Sequence, residues 1–147
     1  MPPLEEQIAE ITQMVFTTVL GLDAIPEDDA SAPASDDGLL AGAVQISGAF
    51  EGTVTVACSP ALAEHAAAIL FDVPDGAATD SDTRDALSEL INITGGNLKP
   101  LVPGPSKLSL PEILASSAAA TAAAGKLLGK VRFACMGETV EVALHER

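Results

Sequence analysis

The sequence has no tryptophan and no tyrosine, and only 4 phenylalanines. That scarcity argues against base-stacking platforms and aromatic cages. It has only 2 cysteines, Cys58 and Cys135, too few for a disulfide framework or a structural zinc site. Cations are scarce as well. Lys and Arg total 7 against 21 Asp and Glu, for a formal net charge of -14. A nucleic-acid binder needs cations to displace phosphate counterions, so that class is excluded, as is docking on an anionic membrane surface. No uninterrupted apolar run is long enough to span a bilayer. The acidic start, Met1 to Glu6, lacks the cationic and apolar regions of a signal peptide. The expectation is a cytoplasmic, metal-free domain with no nucleic-acid or membrane partner.

What is present is enough for a core. The 147 residues are 48% hydrophobic, which suits one domain spanning 1–147. Charge is unevenly placed: residues 1–83 hold 15 acids and no base, and every cation lies at Arg84 or later. Solubility is the plain reading of that charge. An acidic partner would nonetheless meet the second half of the chain.

Leu4, Ile8, Ile11, Val15 and Val19 recur at helical spacing, and Gly21 is a fitting stop. Residues 23–38 are rich in Asp, Ala, Ser and Pro and read as an acidic flexible segment. Alternation then predicts a hairpin over 39–49 and 52–58. Ser59-Pro60 opens a second helix that ends at Pro74-Asp75-Gly76. A third helix is predicted over 82–99, capped around Asp80 to Asp82 and stopped by Pro100. Lys107–Leu114 reads as an edge or bulged strand containing Pro111. The Ala-rich stretch Ser116–Ala124 is either helix or loop. Val131, Phe133 and Cys135 alternate on one side of Met136-Gly137-Glu138, and Val140, Val142 and Leu144 on the other, which predicts a second hairpin.

The third helix carries the candidate chemistry. At about 100° per residue, Asp85, Glu89, Asn92 and Gly96 fall within roughly 60° of one another. Leu87, Leu90, Ile91, Thr94 and Leu98 lie opposite. A solvated surface helix also shows a polar face. Two details set this one apart. Asn is a poor residue for a helix interior, and Gly95-Gly96 costs about 1 kcal/mol per Gly relative to Ala. The expectation is a flat ridge that another macromolecule can approach.

The pattern Asp85-x3-Glu89-x2-Asn92, then Gly96-Asn97, then a strand carrying Ser109-Leu110-Pro111, resembles the CheX-like members of the CheC/CheX/FliY phosphatases. Here 18 residues separate Asn92 from Pro111, slightly fewer than the family's usual gap. The hairpin Gly42 to Val54 and the first helix ending Val19-Leu20-Gly21-Leu22 also match. The acidic segment and the Ala-rich stretch do not. The resemblance implies an enzyme that hydrolyses the aspartyl phosphate of a phosphorylated CheY-like response regulator. Asn92 would position the attacking water, and Glu89 would pair with the regulator's lysine. Mg2+ would be supplied by the regulator, with no cofactor of the chain's own. Asp85, Gly96 and Lys99 are expected as partner-binding residues and Pro111 as structural. A homodimer with its interface in the C-terminal half, using Val131, Phe133, Val140 and Val142, is also expected. The alternative is a non-catalytic CheX-like or FliM-like domain that binds a regulator or serves a structural role.

The remaining reactive residues look unemployed. His65 and His145 read as surface residues without a metal-ligand partner, and Cys58 and Cys135 as core packing. Taken together, the elements and the resemblance predict an α+β fold: a two-layer α/β sandwich, largely antiparallel, with long helices packed on one face.

Overall fold

The computed structural model describes residues 3–27, 38–114 and 125–147. The Ala-rich stretch and most of the expected acidic segment lie outside the described residues.

The first helix, α1 (Leu4–Val15), runs on as a π-helical turn, Phe16–Leu20. Gly21 ends it in the left-handed conformation, φ 68, which a residue without Cβ adopts at no cost. Two residues of the expected flexible segment instead form a strand, β1 (Ile25–Pro26), and Ala24 before it is buried. Strands β2 (Leu40–Gly48) and β3 (Gly52–Cys58) form the first hairpin, in register from Leu40 opposite Cys58 to Ile46 opposite Gly52. Glu51 closes its turn by accepting a 2.7 Å bond from the Gly48 N–H.

Helix α2 (Pro60–Phe71) has the expected Ser59 N-cap and Pro60 start. The Ser59 hydroxyl does not cap its own helix. It accepts from the Thr139 N–H at 3.1 Å and so ties the helix start to the sheet. The helix ends earlier than Pro74, at Asp72, which turns left-handed at φ 54. Helix α3 (Asp80–Leu98) passes into a 3-10 turn, Lys99–Leu101.

The expected strand Lys107–Leu114 is two short strands, β4 (Ser106–Leu108) and β5 (Glu112–Leu114), both antiparallel to β2. Between Leu108 opposite Ile46 and Glu112 opposite Ala43, β2 advances three residues and its partner four. The extra residue makes a bulge at Ser109-Leu110-Pro111, where proline could not have continued the ladder. The terminal hairpin is β6 (Lys126–Cys135) and β7 (Glu138–Glu146). The strands order as β1-β6-β7-β3-β2-β4, with β5 also on β2, in one antiparallel seven-stranded sheet.

The three helices pack on this sheet, giving the α+β sandwich expected. Ile8, Val15 and Phe16 of α1, Leu62 and Ala66 of α2, and Leu87, Leu90, Ile91 and Leu98 of α3 share one core with the strands. Val131, Phe133, Val140 and Val142 belong to that core and are buried. They are not the exposed apolar surface expected for an interface. The reason is the pleat: alternate residues on β6 and β7 point under the helices. Charge divides along the same lines. Glu5, Glu6, Glu10, Glu64, Asp80, Asp82, Asp85 and Glu89 ride on helices. On the strands Lys107, Lys126, Lys130 and Arg132 are offset by Glu112, Glu138, Glu141 and Glu146, so the excess negative charge sits on the helices, where Arg84 is a cation among these acids.

Candidate functional site

The N-cap of helix α3 is Thr79, one residue before the predicted caps. The Thr79 hydroxyl accepts from the Asp82 N–H at 3.1 Å, and the Asp82 carboxylate accepts from the Thr79 N–H at 3.0 Å. This reciprocal capping box satisfies two end donors and fixes the helix start. One side of α3 then sinks into the sheet. Ala86, Leu87, Leu90, Ile91, Thr94, Gly95 and Leu98 are all buried. A Cβ on Gly95 would stand 2.7 Å from Val44 Cγ1, closer than real Cβ atoms come. A Cβ on Gly42 of β2 would collide with Ile91. The two glycines therefore let helix and strand approach face to face. Gly95 serves this close packing, and only Gly96 belongs to the exposed ridge that both were expected to form.

Asp85, Glu89, Asn92 and Gly96 all lie exposed on the opposite side of the helix. The structure thus brings together the residues that the spacing placed together. Glu89 and Asn92 stand one turn apart, their Cβ atoms about 5–6 Å from each other by helix geometry. Among the described residues neither side chain has a hydrogen-bond or ion-pair partner. Asn97 differs: its amide donates to the Ile93 carbonyl at 2.8 Å, back into its own helix. Of the helix's two asparagines, Asn92 is the one left available. A neutral amide offers a donor and an acceptor to one water molecule, and the nearby carboxylate can receive a cation.

Lys99 follows on the same face and is half-buried, with Nζ donating to the Ser106 carbonyl at 3.3 Å. It borders a cleft of about 400 Å³ that Pro100, Val102 and Pro105 also line. Pro111 sits in the edge bulge. The neighbouring Leu110, which sequence reasoning passed over, is 88% exposed. The proline after an alternating run was the signal for it.

His65 lies part-exposed at the surface, as expected, and His145 does not. His65 Nδ1 lies 3.0 Å from the Asp75 carboxylate, so it does have an acidic neighbour. His145 is 3% exposed and is no surface residue. Burial first, and the Lys130 charge second, hold it below the usual histidine range. The ring stays neutral near pH 7. Both cysteines are free and buried, as expected of core residues. Burial, then the Cys135 charge, pushes the Cys58 thiol up to about 12, and burial, then Asp23, raises Cys135. Neither can serve as a thiolate nucleophile near neutral pH. Among the described residues no group of three or more His, Cys, Asp or Glu could hold a metal ion. Among them, too, no helix is long and apolar enough to cross a membrane.

Comparison with known proteins gives the fold and site a setting. The solved CheX of Desulfovibrio desulfuricans superimposes with a TM-score of 0.73 at 15% identity, covering 98% of this chain and 99% of that one. The CheX of the CheX–CheY–BeF3–Mg2+ complex from Borrelia burgdorferi gives 0.70 at 18% identity, covering 96% and 97%. The FliY of Thermotoga maritima gives 0.59 at 16% identity, covering 99% and 91%. At such identities these likenesses establish the fold. No curated protein sequence matches. The family model described as chemotaxis phosphatase CheX matches residues 40–133, from the first strand of the first hairpin to Phe133 and across the whole of α3. The chain belongs to the CheX family of chemotaxis phosphatases.

Proposed function

We propose that this protein dephosphorylates a CheY-like response regulator by inserting the Glu89–Asn92 face of α3 into the regulator's phosphorylation site. The observation that carries this reading is the pair itself. Two polar side chains stand one turn apart on a helix buried along its other side, and both are uncommitted among the described residues. The CheX–CheY–BeF3–Mg2+ complex supports a regulator of that class as the partner.

An aspartyl phosphate already hydrolyses in water, so the catalyst needs no nucleophile of its own. Water oxygen attacks phosphorus, the bond from phosphorus to the aspartate oxygen breaks, and the carboxylate is restored. Both protons of the water leave with inorganic phosphate. Asn92 holds the water in line without adding negative charge beside the phosphoryl group. Glu89 takes the regulator's lysine in a charge-assisted contact that sets the depth of insertion. Asp85, Gly96 and Lys99 flank the contact. Mg2+ belongs to the regulator's site and neutralises phosphoryl charge there. One domain, 1–147, suffices for this work. The protein acts as a homodimer with its Asn92 faces outward.

Asn92→Ala tests the reading. Release of phosphate from a phosphorylated CheY-like regulator falls by on the order of 10²-fold, the scale for losing a positioning group. The melting temperature stays put, because Asn92 is exposed. Full activity in this variant would remove Asn92 from the mechanism and leave the domain a non-catalytic binder.

A further inference from the structure

Leu110 is the most exposed large apolar residue described in the molecule, at 88%. Single surface leucines are ordinary. Three features separate this one from the ordinary case. First, it is held. The Ser109 N–H donates to the Gln45 carbonyl at 2.9 Å, and the Gln45 N–H donates to Ser109 Oγ at 2.9 Å. Ser109 Oγ in turn donates to the Leu110 carbonyl at 3.0 Å, and the Pro111 ring limits the backbone on the other side. A side chain presented from fixed backbone loses little freedom when a partner covers it.

Second, it stands beside the proposed catalytic face. The bulge lies opposite Val44, between the Ser109–Gln45 bonds and the pairing of Glu112 with Ala43. Val44 is the residue on which Gly95 packs, and Leu108 lies 3.8 Å from where a Gly96 Cβ would be. Leu110 is therefore level with Gly95-Gly96, one helical turn past Asn92. Third, the charges around it are ordered. Asp85 and Glu89 occupy one end of the exposed face, with Arg84 beside Asp85, and Lys99 lies just past the other end. A partner that offers a lysine to Glu89 and an acidic group to Lys99 brings its adjoining surface over Leu110.

We propose that Leu110 is an apolar anchor for the phosphorylated response regulator, seated against apolar surface beside the regulator's phosphorylation site. The proposal rests on the reading of Glu89 and Asn92 given above. Leu110 touches no reacting atom, so it acts on binding and not on the chemical step.

Steady-state phosphate release, measured against the concentration of phosphorylated CheY-like regulator, tests it with Leu110→Ser and Asn92→Ala side by side. Leu110→Ser raises KM about tenfold, the scale of a lost interface anchor, and changes kcat by less than about twofold. Its melting temperature matches the wild type. Affinity for the beryllofluoride-loaded regulator falls by the same factor as KM rises. Asn92→Ala loses kcat instead. A wild-type KM in Leu110→Ser, while Asn92→Ala is inactive, overturns the anchor and leaves the catalytic reading standing. An active Asn92→Ala overturns the catalytic reading directly. If Leu110→Ser alters sedimentation but not KM, the leucine contacts a second copy of this chain and the proposal is wrong.

Discussion

At the scale of single residues, the site depends on what its side chains are not doing. A carboxylate without an internal partner keeps its full capacity for an external cation, and Glu89 is such a group among the described residues. Glu89→Gln therefore weakens regulator binding by about tenfold, the worth of one charge-assisted contact. Glu89→Lys weakens it further through like-charge repulsion. Titration calorimetry with beryllofluoride-loaded regulator reads both. Unchanged affinity in the two variants would mean that Glu89 faces something other than a lysine. The exposed row Asp85, Glu89, Asn92 and Gly96 was legible in the sequence because helical spacing is a strong signal. The job of Gly95 was not, since spacing does not say which strand lies beneath. His145 was missed for a related reason. Its position near the terminus suggested solvent, yet it pairs in the sheet between Thr53 and Leu127 and is buried.

At the scale of elements, the start of α3 sets where the working face points. Thr79→Ala removes one half of the capping box and lowers the unfolding free energy by ~1 kcal/mol. Denaturant unfolding reads that loss. The change in kcat is small, because Glu89 lies beyond the second turn and is held by the buried side of the helix. An unaltered unfolding midpoint would show that tertiary packing alone defines the helix start. The sequence placed this helix to within two residues. Its exact start was ambiguous because Thr79, Asp80, Ser81 and Asp82 are all capable caps. The alternating hairpins were equally plain. Strand β1 was not, since two residues cannot show alternation, and Ile25-Pro26 sat in composition typical of loops. Pro111 announced an interruption of the third strand region. It could not announce that the chain would resume pairing with β2 at Glu112.

At the scale of the whole molecule, the proposed catalytic face and Leu110 lie at the β2–β4 side of the sheet, which leaves the other side for the contact of the proposed homodimer. Among the described residues, β1 pairs only with the far end of β6, at Phe133 and Ala134. Leu127, half-exposed, lies on the part of β6 that β1 does not cover. The net charge of -14 opposes association, so sedimentation shows the dimer strengthening as salt rises and screening shortens. A monomer at every salt concentration, or a dimer that loses phosphatase activity because α3 is covered, contradicts this arrangement. The excess of negative charge on the helices, beside strands whose acids and cations offset one another, has a further consequence. It gives the molecule an electric dipole, and a charged partner exerts on a dipole a torque as well as a force. Before any contact forms, the protein turns. Helix α3 has an acidic beginning and Lys99 just past its end, so its own axis spans both signs of charge. Rotational alignment during approach would turn the helix layer, and with it the exposed face of α3, toward the proposed regulator.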